Sequence, residues 1–189
     1  MKAEEIEAIA ERLSDLGIPF VVVGGSALER QYSVGTGDVD LLVAVGDFNS
    51  LEEAFEGRKD IGPFDPTGTI GTAQVLVDSE WTEVEFIVGQ PFSGDQSGDE
   101  FVRYVRDYRS DRRGGVRWAR PEVVWYMRLS TDDWELYVVK IRRDLRAGVP
   151  SSTFDGVLDV ARHFDVGDKI EPRVRKAREV TDLARPRPG

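Results

Sequence analysis

Residues 21–45, VVVGGSALERQYSVGTGDVDLLVAV, hold the residue types and spacing that could do chemistry. An apolar, β-branched run ends in Gly24-Gly25, and paired glycines let a backbone approach a ligand closely. Ser26 follows, and a helix is expected to begin there. Free amides at a helix N-terminus favour phosphate. Twelve residues separate Gly25 from Asp38-Val39-Asp40, which opens a second apolar run. Side chains alternate along a strand, so Asp38 and Asp40 share one face and Val39 and Leu41 the other. Two carboxylates on one face form a hard oxygen site suited to Mg²⁺ (or Mn²⁺). Beside a phosphate cradle, they point to metal-bridged nucleotide chemistry.

The elements that must position these residues follow from periodicity. Ile6, Ile9, Leu13 and Leu16 predict a helix over 4–16, stopped by Gly17. Residues 19–23 and 38–45 read as buried strands. A short helix is expected over 27–32, a turn-rich loop over 34–37 and a helix over 48–55. Residues 57–71, with four Gly and two Pro, read as loop. Residues 73–77 and 82–88 form a hairpin around Asp78-Ser79-Glu80. Residues 89–98 read as loop, 99–108 as helix and 115–119 as a short strand. Helices are expected over 121–129, 132–146, 153–164 and 172–184, with Pro121 and Pro172 at first helical positions and Asp132-Asp133 as a cap. The fold class is α+β, a mixed β-sheet flanked by helices with a mostly helical C-terminal part. The expected division is an α/β core over 1–120, a helical region over 121–184 and a flexible tail over 185–189.

Composition bounds the function classes. The 189 residues carry a formal net charge of −10, are 40% hydrophobic and contain no cysteine. That apolar fraction supports a folded core, and the missing thiols exclude disulfides, thiolate metal sites and a cysteine nucleophile. A single histidine, His163, excludes a multi-histidine metal site. No apolar run is long enough to span a bilayer and the N-terminus does not resemble a signal peptide, so a cytoplasmic location is expected. The charge is unevenly placed. Residues 1–100 carry 5 basic and 21 acidic side chains, residues 101–146 carry 12 and 7, and residues 147–189 carry 8 and 7. Local potential rather than net charge sets attraction, so a polyanionic partner stays open. Acid excess with 20 Arg and 5 Lys is also the composition of salt-adapted proteins, or of high-GC coding.

The combination Val23-Gly24-Gly25, twelve residues, then Asp38-Val39-Asp40-Leu41 resembles the nucleotidyltransferase superfamily that includes DNA polymerase beta. The likeness is concentrated in residues 18–45 and is nearest to small stand-alone or toxin-type members. It implies that Gly24, Gly25 and Ser26 hold the phosphates of a nucleoside triphosphate such as ATP, and that Asp38 and Asp40 bind Mg²⁺ (or Mn²⁺). It further implies a third carboxylate on a later strand, in WTEVEFIV. There Glu85 is the choice and Glu83 the alternative, since both share one strand face. Family members often carry Asp where Glu85 stands. A basic residue on a C-terminal helix contacts nucleotide in similar proteins, and Lys140 is the candidate here. Its alternative role is a lysine whose stem lies along the core. The implied activity transfers a nucleoside monophosphate to a hydroxyl of RNA, a protein or a small molecule and releases pyrophosphate. The alternatives are a catalytically weak or inactive nucleotide-binding regulator, or the toxin of a toxin–antitoxin pair with an antitoxin partner.

Arg103, Arg106, Arg109, Arg112, Arg113, Arg117 and Arg120 recur about every three residues, with Tyr104 and Tyr108 between them. On a helix this makes a stripe that could clamp triphosphate or track RNA, or a salt-bridged face against the acidic first half. Trp118, Trp125 and Tyr126 read as core, and His163 as a capping or partly buried helix residue.

Overall fold

The computed structural model describes residues 3–88, 98–113 and 115–182. The expected loop over 89–97 and the expected tail over 185–189 lie outside the described residues. In chain order the elements are α1 (Ala3–Ser14), β1 (Phe20–Val23), α2 (Gly24–Tyr32), β2 (Val39–Val43), α3 (Val45–Asn49), α4 (Leu51–Phe55), β3 (Asp65–Thr67), β4 (Ile70–Val77) and β5 (Glu80–Val88). Then follow α5 (Gly98–Tyr108), β6 (Ser110–Arg113), β7 (Val116–Ala119), α6 (Pro121–Ser130), α7 (Trp134–Arg146), α8 (Thr153–His163) and α9 (Gly167–Asp182). The chain is α+β, a mixed sheet flanked by helices and followed by a mostly helical C-terminal part.

Among the described residues the sheet has seven strands in the order β3-β4-β5-β2-β1-β7-β6. β1 and β2 lie inside it, and their Val and Leu side chains are almost wholly buried. β2 runs antiparallel to β1 and parallel to β5, with Asp40 level with both Val23 and Glu85. The β4–β5 hairpin turns on Asp78 and Ser79, both in the left-handed region at φ 50° and 71°. A two-residue turn of that hand matches the right-handed twist of its strands. Phe86 on β5 packs with Phe55 and Phe64, ring centroids 5.5 and 5.8 Å away. A second aromatic group, Phe101, Tyr126 and Phe164, joins α5 to α6 and to the end of α8.

Several expectations need correction. α2 begins at Gly24, not after Ser26. The single helix over 48–55 is two short ones, with Ser50 at the junction. Residues 57–71 include β3 and the start of β4. β3 buries no side chain, and β4 opens on an exposed Ile70 and a glycine, so neither start carries an apolar alternation. Pro172 lies inside α9, not at its start. Ile170, Val174, Ala177 and Thr181 form one buried stripe, so packing carries the helix through the proline from upstream. Asp133 occupies the N-cap of α7 but its side chain makes no cap hydrogen bond.

The arginine series is not one helical stripe. α5 ends at Tyr108, and β6 and β7 pair as an antiparallel hairpin. Val116, Trp118 and Ala119 are buried on β7, which lies beside β1, and that burial favours strand over helix. Arg106, Arg109 and Arg120 pair with Asp107, Glu122 and Asp111, so their acidic partners come from the same basic segment.

The C-terminal helices assemble around α6. From α9, Arg173 donates to the carbonyls of Leu129 (2.9 Å) and Thr131 (2.6 Å), satisfying the end of α6. α8 crosses α6 so closely that a Cβ on Gly156 would sit 2.8 Å from the Glu122 Cβ. Gly156→Ala must therefore push the two helices apart. The expected cost is about 1–3 kcal/mol, read as a thermal midpoint lower by several degrees. An unchanged midpoint would contradict the close crossing.

Candidate functional site

The site is built by strand register. The β2–β5 pairing sets Asp40 beside Glu85 on one sheet face, and Asp38 immediately precedes β2. Carboxylate oxygens of Asp38, Asp40 and Glu85 lie within 4.8 Å of one another, and all three residues are half-buried. Glu83 shares the strand face with Glu85 but is exposed and stands outside this trio.

The glycines make room for it. Gly24 has φ 62°, and a Cβ there would fall 1.7 Å from Asp40 Oδ2. Only glycine suits that backbone and leaves that space. The close approach at Gly24 is thus one between the α2 backbone and a carboxylate of the protein itself. Ser26 is fully buried. Its hydroxyl donates to the Asp38 carbonyl (2.8 Å) and accepts from the Asp40 N–H (3.4 Å). That side chain is committed to tying α2 to the start of β2. Thr36 orients Asp38, its hydroxyl lying 3.1 Å from the Asp38 carbonyl and 3.0 Å from Oδ1.

The crowding shows in proton affinity. Burial, followed by the charges of Asp38 and Glu85, raises the Asp40 pKa to about 7, while Arg128 and Lys140 pull it back. Glu85 is also raised, by burial first and then by Asp38 and Glu83. Oxygen-only donors that resist ionisation together fit a hard divalent cation, whose charge reverses the local field.

The cleft that holds the carboxylates also holds cations from the C-terminal helices. Arg128 from α6 and Lys140 and Arg143 from α7 line the same cleft of about 540 Å³ as Gly24, Gly25, Asp38, Asp40 and Glu85. Met127, Thr131 and Tyr137 line it as well. Lys140 is exposed, with Nζ 5.1 Å from the Tyr137 ring centroid, and its neighbour Val139 is 72% exposed. Arg128 is 6% exposed and pairs with Asp144 of α7, which is wholly buried. The Trp125 indole donates to the same Asp144 oxygen at 3.0 Å.

Arg128, Arg143, Asp144 and Thr36 are the side chains that sequence reasoning missed. Arg128 has a visible signal, a lone cation inside the apolar stretch 123–129. Trp118, Trp125 and Tyr126 are core residues. His163 ends α8 and stacks on Tyr104 at 4.0 Å. None of the seven serial arginines lines the cleft.

Comparison with protein-family models and with curated proteins finds no match. Among solved structures the chain is similar to one described as "putative nucleotidyltransferase from H. pylori", with 12% identity and a TM-score of 0.42. That alignment covers 98% of this chain and 97% of the other.

The raised carboxylates make stability depend on pH in a defined direction. Between the ordinary carboxylate range and about 7, the folded protein holds a proton at Asp40 that the unfolded chain has lost. Stability of the metal-free protein therefore falls as pH rises through that window. Mg²⁺ or Mn²⁺ should raise the thermal midpoint more at pH 8 than at pH 5. Asp40→Asn should flatten the metal-free profile and remove the metal effect. Melts at both pH values with and without metal read this, and an equal metal effect at both would contradict it.

Proposed function

We propose that this protein is a Mg²⁺-dependent (or Mn²⁺-dependent) nucleotidyltransferase that moves a nucleoside monophosphate from a triphosphate to a hydroxyl acceptor, releasing pyrophosphate. The observation that carries this reading is one cleft lined both by the carboxylate trio Asp38, Asp40 and Glu85 and by the cations Arg128, Lys140 and Arg143. Carboxylates alone repel a polyphosphate and cations alone offer no metal ligand. A metal–polyphosphate complex satisfies both sets.

Asp38, Asp40 and Glu85 would hold the metal, with Thr36 and Ser26 fixing the aspartates from behind. When bound, Mg²⁺ neutralises phosphate charge and acts as a Lewis acid on the reacting oxygens. The α2 N-terminus at Gly24-Gly25 offers backbone amides to the phosphates. Lys140 and Arg143 attract the triphosphate from the rim. The acceptor oxygen bonds to the α-phosphorus, and the bond from that phosphorus to its bridging oxygen breaks. Pyrophosphate departs with that electron pair. Glu85 takes the acceptor proton, a task suited to a carboxylate whose pKa is raised. No histidine or cysteine is required.

A silent nucleotide-binding protein would be favoured by a missing third carboxylate, and Glu85 stands beside Asp38 and Asp40. Nucleoside triphosphates set the reaction in the cytoplasm. Among the described residues no helix is long and apolar enough to cross a membrane.

Incubation with each labelled triphosphate, Mg²⁺ or Mn²⁺, and RNA, protein and small-molecule acceptors should release pyrophosphate and label one acceptor class. No release at low or molar salt would overturn the assignment. Glu85→Gln should lower the rate by about two to three orders of magnitude, the scale of losing a group that acts on transition-state charge, whereas Glu83→Gln should leave most of it. Equal losses would contradict the role given to Glu85.

A further inference from the structure

We propose that Arg128 is the principal ligand for the substrate's triphosphate and that Asp144 is the positioning residue that aims it. This rests on the nucleotidyltransferase reading and adds to it the cation that recognises the phosphates, a place that sequence reasoning assigned to Lys140.

Arg128 combines two properties rarely found together. It is 6% exposed, yet it lines the same cleft as the three carboxylates. Its Nη1 is held by Asp144 Oδ2, which also takes the Trp125 indole N–H at 3.0 Å. The other oxygen, Oδ1, has Arg143 Nη2 at 3.6 Å. Two guanidiniums thus share one buried carboxylate.

Stability alone does not account for the pair. Taking two charges out of water costs enough that apolar residues of similar volume are often as good or better. What the pair achieves is a guanidinium fixed at the cleft wall with little freedom left to lose on binding. A planar fork matches phosphate oxygens bidentately, and partial burial strengthens the attraction. Lys140 is the contrasting case, exposed on a flexible arm and bathed by water.

The plain alternative is that Arg128 and Asp144 only pin α6 to α7. Binding of inorganic triphosphate in the presence of Mn²⁺, measured by titration calorimetry on the full chain, separates the two. Thermal melts run beside it report the fold. An Arg128→Met/Asp144→Leu double variant should keep a cooperative melt and bind about 10- to 100-fold more weakly, the range for losing hydrogen bonds to a charged group. Asp144→Asn should weaken binding about tenfold although the Arg128 charge is kept. Lys140→Ala should cost less than either. Wild-type affinity in the folded double variant overturns the proposal, as does a larger loss from Lys140→Ala. If the double variant does not fold, Arg128→Lys decides, since it keeps the charge but not the fork. Weaker binding with an intact melt supports Arg128, and unchanged binding overturns it. If the wild-type protein binds no triphosphate with metal, the nucleotidyltransferase reading itself falls and this proposal falls with it.

Discussion

Carboxylates repel one another, and three of them are held within 4.8 Å where the start of β2 meets the middle of β5. Much of the surrounding structure can be understood as what makes that crowding tolerable. Parallel register sets Asp40 beside Glu85, so neither can swing away without breaking the central strand pair. The glycine at the head of α2 yields its side-chain space to Asp40. The buried Ser26 hydroxyl holds the two strand-start residues from behind. Burial first, and then the charges of Asp38 and Glu85, raise the Asp40 pKa to about 7, so protonation relieves the site when no cation is bound.

The C-terminal helices supply the opposite charge. α6 and α7 bring Arg128, Lys140 and Arg143 to the cleft, and α8 and α9 brace them through the close crossing at Gly156 and the Arg173 contacts. The acidic and basic halves of the chain therefore meet in one cleft. The uneven charge along the sequence is, at this place, a spatial dipole.

Those parts that depend on local pattern could be read before the structure. The apolar strands, the amphipathic helices and the Gly-Gly and Asp-Val-Asp strand ends carry their signals within a few residues. Short edge strands do not, because β3 and β6 bury almost no side chains and leave no apolar alternation. Recurrence of arginine every third residue imitates a helical stripe, and only the burial of β7 beside β1 breaks the imitation. Arg128 escaped notice for another reason. Its partner Asp144 lies on the next helix, so the meaning of a charge inside an apolar run depends on a contact that no local pattern encodes.

Gly24 and Asp40 have a consequence for how the site can vary. Their atoms compete for one volume, so any side chain at 24 would collide with the aspartate at 40. A longer acid at 40 would have to run into the α2 backbone. Across the strand pair, position 85 carries glutamate, whose oxygen lies within 4.8 Å of oxygens of both aspartates. The trio is therefore asymmetric in arm length, with two short acids at the start of β2 and one longer acid reaching in from β5.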